Sequence, residues 1–165
     1  MFMTGLLLAA LLAVDGLVLA GQTKYGVTVK TADASALAKA TTYSWTAGNP
    51  SLAKTIHTHI TGAIDRELQA RGLRKVETGP SDVVVLYRSL SRTDVDLKPK
   101  EVQGEVLRDY SVGTLVVDLR DASGRTSLFY VRMDTPIDTD PVKLEAAINA
   151  AVAAMFEKYP TVAKR

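Results

Sequence analysis

The stretch YSVGTLVVDLRDASGRTSLFYVRM, residues 110–133, decides the fold of this chain. Its first half alternates in steps of two, which places Leu115 and Val117 on one face of a predicted strand. Residues 121–124 supply Asp, Ser and Gly, the types that tight turns recruit, and an apolar and aromatic run resumes at 128–133. The pattern predicts a β-hairpin that is apolar on much of both faces. Such a hairpin needs cover from other elements.

Two helical patterns flank the hairpin and can supply that cover. Isoleucine and leucine recur at four-residue spacing over residues 52–68, and Gly72 follows as a C-terminal cap. Asn49 or Ser51 is predicted to cap the start of this helix. An alanine-rich apolar stripe over residues 141–159 predicts the second helix. We expect both helices on the same face of the sheet, with four inward side chains, Ile60, Ile64, Ile148 and Val152.

Further strands complete a two-layer domain. Short alternating or apolar segments predict them near residues 25–30, 42–46, 74–77 and 82–90. The last segment is apolar on both faces and therefore belongs in the middle of the sheet. The predicted class is α+β, with a mainly antiparallel sheet of about five to six strands and two long helices on one face. Residues 21–165 are expected to form a single domain.

Composition excludes several kinds of function. The chain has 165 residues and no cysteine, which rules out disulfides, thiolate catalysis and zinc–thiolate sites. Its 20 Lys and Arg residues nearly balance 18 Asp and Glu residues, for a formal net charge of +2. Charges of both signs are mixed along the chain, whereas a nucleic-acid binder needs clustered basic residues. We therefore expect no nucleic-acid partner.

The first twenty residues are typical of a secretory signal peptide. An apolar run covers 6–12, and Val18 and Ala20 place small residues before a cleavage site at Gly21. No Lys or Arg precedes the run, and Asp15 interrupts the segment, so an uncleaved membrane anchor or a buried helix remains an alternative. The predicted location is the periplasm or the outer envelope. Membrane contact is expected only through residues 1–20, if they are not removed.

Gln22 bears on lipid attachment. A bacterial lipoprotein signal ends in Leu, two small residues and an acylated Cys, and here Leu19-Ala20-Gly21 precedes Gln22. Glutamine cannot form the thioether bond to the lipid. The chain is therefore not expected to carry a lipid anchor at this position.

No residue pattern in the chain predicts catalysis or a bound cofactor. His57 and His59 are two residues apart on a predicted helix, so they point about 200° away from each other and cannot share a metal. Asp134, Asp138 and Asp140 crowd one loop, but the glycine and distal glutamate of a calcium loop are absent. No nucleophile elbow and no phosphate-binding glycine pattern occurs. We predict a protein that is not an enzyme and that binds no metal or cofactor.

A charged segment, residues 91–105, is the candidate partner-binding site. It carries charges of both signs with Pro99 and Gly104, and it is predicted to be either a polar extension of two strands or a mobile loop. As a docking element it would set specificity and association rate through its charges, and as a solvated loop it would bind nothing. The candidate partner-binding residues are Arg92, Asp94, Asp96, Lys98, Lys100 and Glu101.

The order of elements, with several local sequences, resembles a known family. These local sequences are YSW at 43–45, IDRELQARGL at 64–73, the apolar strand 82–87, YSVGTLVVD at 110–118 and MFEKYP at 155–160. Together they resemble the bacterial envelope proteins of domain-of-unknown-function family 4136, over roughly Val27 to Pro160. The resemblance implies a two-layer α+β domain in an exported protein, usually a lipoprotein. It implies no catalytic residues, because the family has no established activity.

Two classes of function follow from these observations. The first is a non-catalytic envelope domain that binds another envelope protein or a copy of itself. The second is a carrier of a small apolar ligand, held between the helices and the sheet. A carrier needs an apolar pocket of roughly 300 Å3 or more, so the volume of that space separates the two classes.

Overall fold

The computed structural model of the protein describes residues 26–102, 105–137 and 140–160, with side chains described outside 94–110 and 141–142. The predicted signal peptide, Gln22 and Asp138 lie outside the described residues. Nine elements follow in chain order: β1 (Val27–Thr31), α1 (Ala34–Lys39), β2 (Thr42–Trp45), α2 (Lys54–Ala70), β3 (Arg74–Lys75), β4 (Val83–Val102), β5 (Glu105–Asp121), β6 (Ser127–Pro136) and α3 (Pro141–Phe156).

The six strands form one mixed sheet in the order β1-β6-β5-β4-β2-β3. The pairs β1–β6, β6–β5 and β5–β4 are antiparallel, whereas β4–β2 and β2–β3 are parallel. Apolar β4 lies inside the sheet, between β5 and β2, as its sequence predicts. The α+β class and the mainly antiparallel sheet are confirmed.

The hairpin predicted at residues 110–133 is the junction of β5 and β6. Val117 pairs with Val131 and Leu119 pairs with Phe129, and all four side chains are buried. The turn uses Gly124 at φ 71°, a left-handed conformation that glycine adopts without steric cost. This hairpin supplies the middle of the core.

All three helices contribute to one core on one face of the sheet. Ile60, Ile64 and Val152 are at most 3% exposed, and Ile148 packs against them half-buried. From α1, Leu37 joins the same cluster. The predicted packing of the two long helices on one sheet face is confirmed. The largest fully buried side chains in this core include Tyr43, Phe129, Phe156, Leu68 and Met155.

The start of α2 differs from the prediction. The helix begins at Lys54, and its N-cap residue, Ala53, makes no capping hydrogen bond through its side chain. Asn49, predicted as a cap, instead continues the β-type pairing of β4: its N–H donates to the Tyr87 carbonyl at 3.2 Å, and its own carbonyl accepts from the N–H of Ser89 at 2.9 Å. Backbone pairing holds Asn49 in an extended bridge, so the helix starts later. Leu52, predicted within the apolar stripe, is consequently fully exposed.

The charged segment takes the form of a strand extension. β4 runs to Val102 and β5 begins at Glu105, and the two remain paired with an irregularity between Val95 and Lys100. β6 accompanies β5 only as far as Val112. We call the outer two-stranded part, residues 93–102 and 105–111, the hairpin arm. Within the described ranges, no helix is both long and apolar enough to cross a bilayer.

Candidate binding groove

A groove of about 530 Å3 opens between the N-terminal halves of α2 and α3 and the underlying sheet. Its floor is the middle of the sheet and its walls are the two helices. The volume exceeds the roughly 300 Å3 expected of a small-molecule site. The space is therefore large enough for the carrier alternative that the sequence left open.

The pairing register of the strands shows which residues form the groove floor. Ser89 pairs with Leu115 and Ser91 pairs with Gly113, so these four residues share one sheet face. Thr135 pairs with Gly113 from the other side and completes the row. Because Leu115 packs against the core beneath the helices, this face is the helix-covered one. The side chains of Ser89 and Ser91 therefore point toward the groove. The preceding residues on the same face of β4 are apolar.

The groove remains open because several of its lining residues have small side chains. A Cβ atom on Gly113 would lie 3.2 Å from Cγ1 of Ile137, so any side chain there would crowd the floor. On the α3 wall, Ala147 and Ala151 stand where longer aliphatic side chains would fill the space. The alanine-rich pattern of α3, which gives a thin helix face, thus leaves room at this end of the core.

The walls are aliphatic. Ile56 and Ile60 come from α2, and Leu144 and Ile148 come from α3. Leu52 lies at the rim and is fully exposed to solvent. None of the described residues that line the groove carries a charge. Leu90, the other exposed large apolar residue of the described structure, also lines the groove, so exposed apolar surface is concentrated here.

Two hydroxyl groups face this apolar space. Within the described structure, the side chains of Ser89 and Ser91 make no hydrogen bond to another protein group, although the Ser89 backbone pairs with Asn49. The Thr135 hydroxyl lies 3.5 Å from the Pro136 carbonyl oxygen, at the outer limit for a hydrogen bond. Ser89 is half-buried and Ser91 is exposed, so both hydroxyls are open to water and available to a ligand.

A separate polar cluster around Asp65 ties α2 to β2. Oδ1 of Asp65 accepts hydrogen bonds from the Tyr43 hydroxyl at 2.8 Å and from the Trp45 indole N–H at 2.9 Å. Lys75 lies 3.4 Å from the other carboxylate oxygen. Burial, together with the neighbouring Asp65 carboxylate, raises the pKa of the Tyr43 hydroxyl well above its ordinary value. The phenol stays protonated and donates to Asp65, so this cluster links α2 to β2 through the side chains of Tyr43 and Trp45.

The opposite face of the sheet carries paired arginines and aspartates. Asp118 is 2% exposed and accepts from the Ser127 hydroxyl at 2.6 Å and from Nε of Arg120 at 2.9 Å. Asp134 accepts from the Thr114 hydroxyl at 2.6 Å and lies 3.0 Å from Arg132. These contacts satisfy both carboxylates. They explain how Asp118, which the sequence places in an apolar strand, is buried there.

Among the predicted partner-binding residues, only Arg92 has a described side chain. Arg92 is exposed on β4, donates to the Thr114 hydroxyl at 3.2 Å and lies 3.7 Å from Asp134. The other five lie on the β4 strand of the hairpin arm, and their side chains are outside the described part: Asp94, Asp96, Lys98, Lys100 and Glu101. Arg92 is not a lining residue of the groove, but it follows Ser91 and contacts Thr114, which both line it.

The histidines lie apart, as their spacing predicted. Nδ1 of His57 is 2.6 Å from the Tyr87 hydroxyl, and Nδ1 of His59 is 3.6 Å from Glu145. Across the part of the chain that the structure describes, no three His, Cys, Asp or Glu side chains come together as a metal site would require.

Sequence reasoning missed the groove floor. Its signal was available: Val83, Val85 and Tyr87 form the apolar core-facing row of β4, and the same row continues with Ser89 and Ser91. A change from apolar to hydroxyl side chains along the core-facing side of a strand marks the place where the core ends. What the sequence does not reveal is that both helices extend over this place.

Comparison with known proteins supports the fold. No curated protein matches the sequence. A PelC dodecamer from Paraburkholderia phytofirmans is similar in structure, with a TM-score of 0.57 at 11% identity over 84% of this chain and 99% of that one. A PDZ domain protein from Parabacteroides distasonis gives a TM-score of 0.55 at 14% identity over 85% of this chain and 36% of that one. At such identities, the likeness concerns the fold alone.

The sequence also matches one family description, over residues 27–161. This span covers the sheet and all three helices, and it agrees with the resemblance carried by the hairpin, the first long helix and the chain end. The chain belongs to the family described as Domain of unknown function (DUF4136).

Proposed function

We propose that this protein is an exported, non-catalytic binding domain of the bacterial envelope whose groove takes a small apolar ligand. The observation that carries the proposal is the groove of about 530 Å3 between α2, α3 and the sheet. Ligand sites typically occupy roughly 300–1,000 Å3 and are lined mainly by apolar side chains with a few polar groups. The groove meets each of these criteria.

The physical driving force would be burial of aliphatic surface. Ile56, Leu144 and Ile148 offer such surface on two walls, and Leu52 adds a fully exposed leucine at the rim. Apolar surface removed from water stabilises a complex by about 25 cal/mol per Å2. An aliphatic chain laid between the helices would remove water from both walls at once.

The lining also favours binding over catalysis. A serine nucleophile needs an adjacent base to remove its proton. The described residues that line the groove include no histidine, carboxylate or lysine beside Ser89 and Ser91. The two hydroxyls are suited to hydrogen bonding with a ligand.

Replacing each of two alanines of α3 by phenylalanine tests the site. Ala147 lines the groove half-buried, whereas Ala150 is exposed on the same helix. Calorimetric titration with octanol should show binding to the unmodified protein. Ala147→Phe should weaken it by about tenfold or more, because the ring fills the space. Ala150→Phe should bind as the unmodified protein does. Equal binding by Ala147→Phe, with its fold intact by circular dichroism, would remove the groove as the site.

A second candidate function, docking of a protein partner or of another copy of the chain, is favoured by the hairpin arm. The arm extends past the strands that flank it, since β5 pairs with β6 only up to Val112. Strand edges without a neighbour are templates for pairing with another chain. The PelC structure is a dodecamer, and self-association through the arm is the corresponding proposal for this protein.

Shortening the arm tests this second candidate. Residues 94–109 would be replaced by a tight turn that joins β4 directly to β5, a change that leaves the groove lining in place. The expected result is loss of co-purifying envelope proteins, or a lower mass in light scattering, with octanol binding retained. A shortened protein that folds, keeps its partners and keeps its mass would show that the arm is a solvated extension only.

A further inference from the structure

The chemistry of the groove floor narrows the class of ligand, an inference that rests on the proposed function. We propose that the groove selects a neutral amphiphile, an aliphatic chain that ends in a hydroxyl, ester or amide group, and discriminates against a free carboxylate. Ser89 and Ser91 would bind the polar end of the ligand. The aliphatic chain would lie between Ile56 and Ile148.

The first support is that the two floor hydroxyls have no hydrogen-bond partner among the described protein groups. Register places Ser89 and Ser91 on the helix-covered face beside Leu115 and Gly113. Their hydroxyls make no hydrogen bond to other groups of the described structure. Ser89 is half-buried and Ser91 is exposed, so water meets their hydroxyls in the free protein, and a ligand that covers them must supply a donor or an acceptor in its place. A neutral polar group on the ligand provides such a partner.

The second support is the lack of charge around these hydroxyls. None of the described lining residues is charged, although Lys54 and Lys143 adjoin lining residues in the sequence. Arg92 follows Ser91 but points to the opposite sheet face, where it contacts Thr114. A carboxylate brought to the floor would leave water without a cation to pair with, which is costly. An alcohol or an ester loses far less hydration free energy when it leaves water.

The third support is the shape of the floor. Gly113 has no side chain between Ser91 and Thr135, and the space above it is limited by Ile137. The polar end of a ligand can therefore approach the two serines closely, whereas the walls above are aliphatic. The polar floor and the apolar walls together suit a ligand that has an aliphatic chain and one polar end.

Octanol and octanoate test the proposal because they share a chain and differ in the terminal group. Both are titrated into the full-length protein at pH 8, where the carboxylate is ionised. Octanol is expected to bind about tenfold or more tightly than octanoate. The double variant Ser89→Ala with Ser91→Ala should bind octanol about fivefold more weakly, and should bind chlorooctane, which lacks the hydroxyl, as the unmodified protein does.

The outcomes separate this inference from the proposed function. If octanoate binds as tightly as octanol and Ala147→Phe abolishes both, the groove is the ligand site but does not select neutral ligands. Unchanged octanol binding in the double serine variant would also overturn neutral selectivity. Failure of octanol, octanoate and chlorooctane alike to bind would overturn the proposed function and this inference together. The variant Ser91→Lys, at an exposed position, should reverse the preference toward octanoate.

Discussion

Arg71 and Phe156 fasten the C-terminal ends of the two long helices to each other. Nη2 of Arg71 donates to the Phe156 carbonyl oxygen at 2.6 Å, and the guanidinium carbon lies 5.2 Å from the centre of the Phe156 ring. Glu67 holds the same guanidinium at 2.6 Å. The groove lies at the other ends of the same helices. One end of the helix pair is thus closed by a side chain, and the other end is where a ligand would enter.

Replacing Arg71 by methionine should lower the free energy of unfolding by about 2 kcal/mol, because a charge-assisted hydrogen bond across the two helices is lost. The measurement is urea unfolding followed by circular dichroism. Arg66→Met is the matched control: Arg66 donates to the Asn149 side chain at 2.6 Å but is exposed, so its loss should cost much less. Equal effects of the two substitutions would show that Arg71 does not fasten the helices.

Ile64→Asp should prevent folding. Ile64 is fully buried at the centre of the core, and a carboxylate there would have no described cation beside it. The cost of a buried unpaired charge exceeds the stability of a typical domain of this size. Ile64→Val, by comparison, should cost about 1 kcal/mol. Thermal unfolding measures both, and an aspartate variant as stable as the unmodified protein would disprove the packing of α2.

Protonation of Asp82 should lower the free energy of unfolding at acid pH. Its Oδ2 accepts four hydrogen bonds, from the backbone N–H and the hydroxyl of both Thr41 and Thr42, at 2.8–2.9 Å. These bonds, led by that from the Thr41 N–H, lower the pKa of Asp82 to about 2 from an ordinary 3.8. Because the folded pKa is the lower one, the stabilisation is present above about 3.8 and is lost as the pH falls toward 2.

The variant Asp82→Asn should therefore be less stable than the unmodified protein at neutral pH, and the difference should shrink as the pH falls from about 4 to about 2. Denaturant unfolding at a series of pH values measures this difference. A difference that stays constant over the whole series would show that Asp82 does not titrate with folding.

Export remains a prediction of the sequence, with cleavage after Ala20 and no acylation. Intact-mass spectrometry of the protein from its native host should give an N-terminus at Gly21 without added lipid. The variant Gln22→Cys restores the thiol that acylation needs and should gain a lipid mass, because it completes Leu19-Ala20-Gly21-Cys. A mature protein that begins at Met1 would contradict the cleavage, and a lipid on the unmodified chain would contradict the role of Gln22.

The sequence by itself determined the fold class and most of its elements. Period-two alternation around Leu115 and Val117 fixed the hairpin, since one face of a strand must be apolar to be buried. Four-residue spacing through Ile60 and Ile64 fixed the first long helix and its inward face. These are local properties, and each can be read within a window of about fifteen residues. The family resemblance, also read from the residues, was confirmed over residues 27–161.

Only the tertiary structure decided the start of α2 and the existence of the groove. Asn49 has the side chain of a cap, but its backbone pairs with Tyr87 and Ser89, residues about forty positions away. Ser89 and Gly113 become a groove floor only because β4 and β5 bring them together beneath two helices that stay apart at that end. Such relations depend on how distant segments pack, and no local pattern of propensity or periodicity contains them.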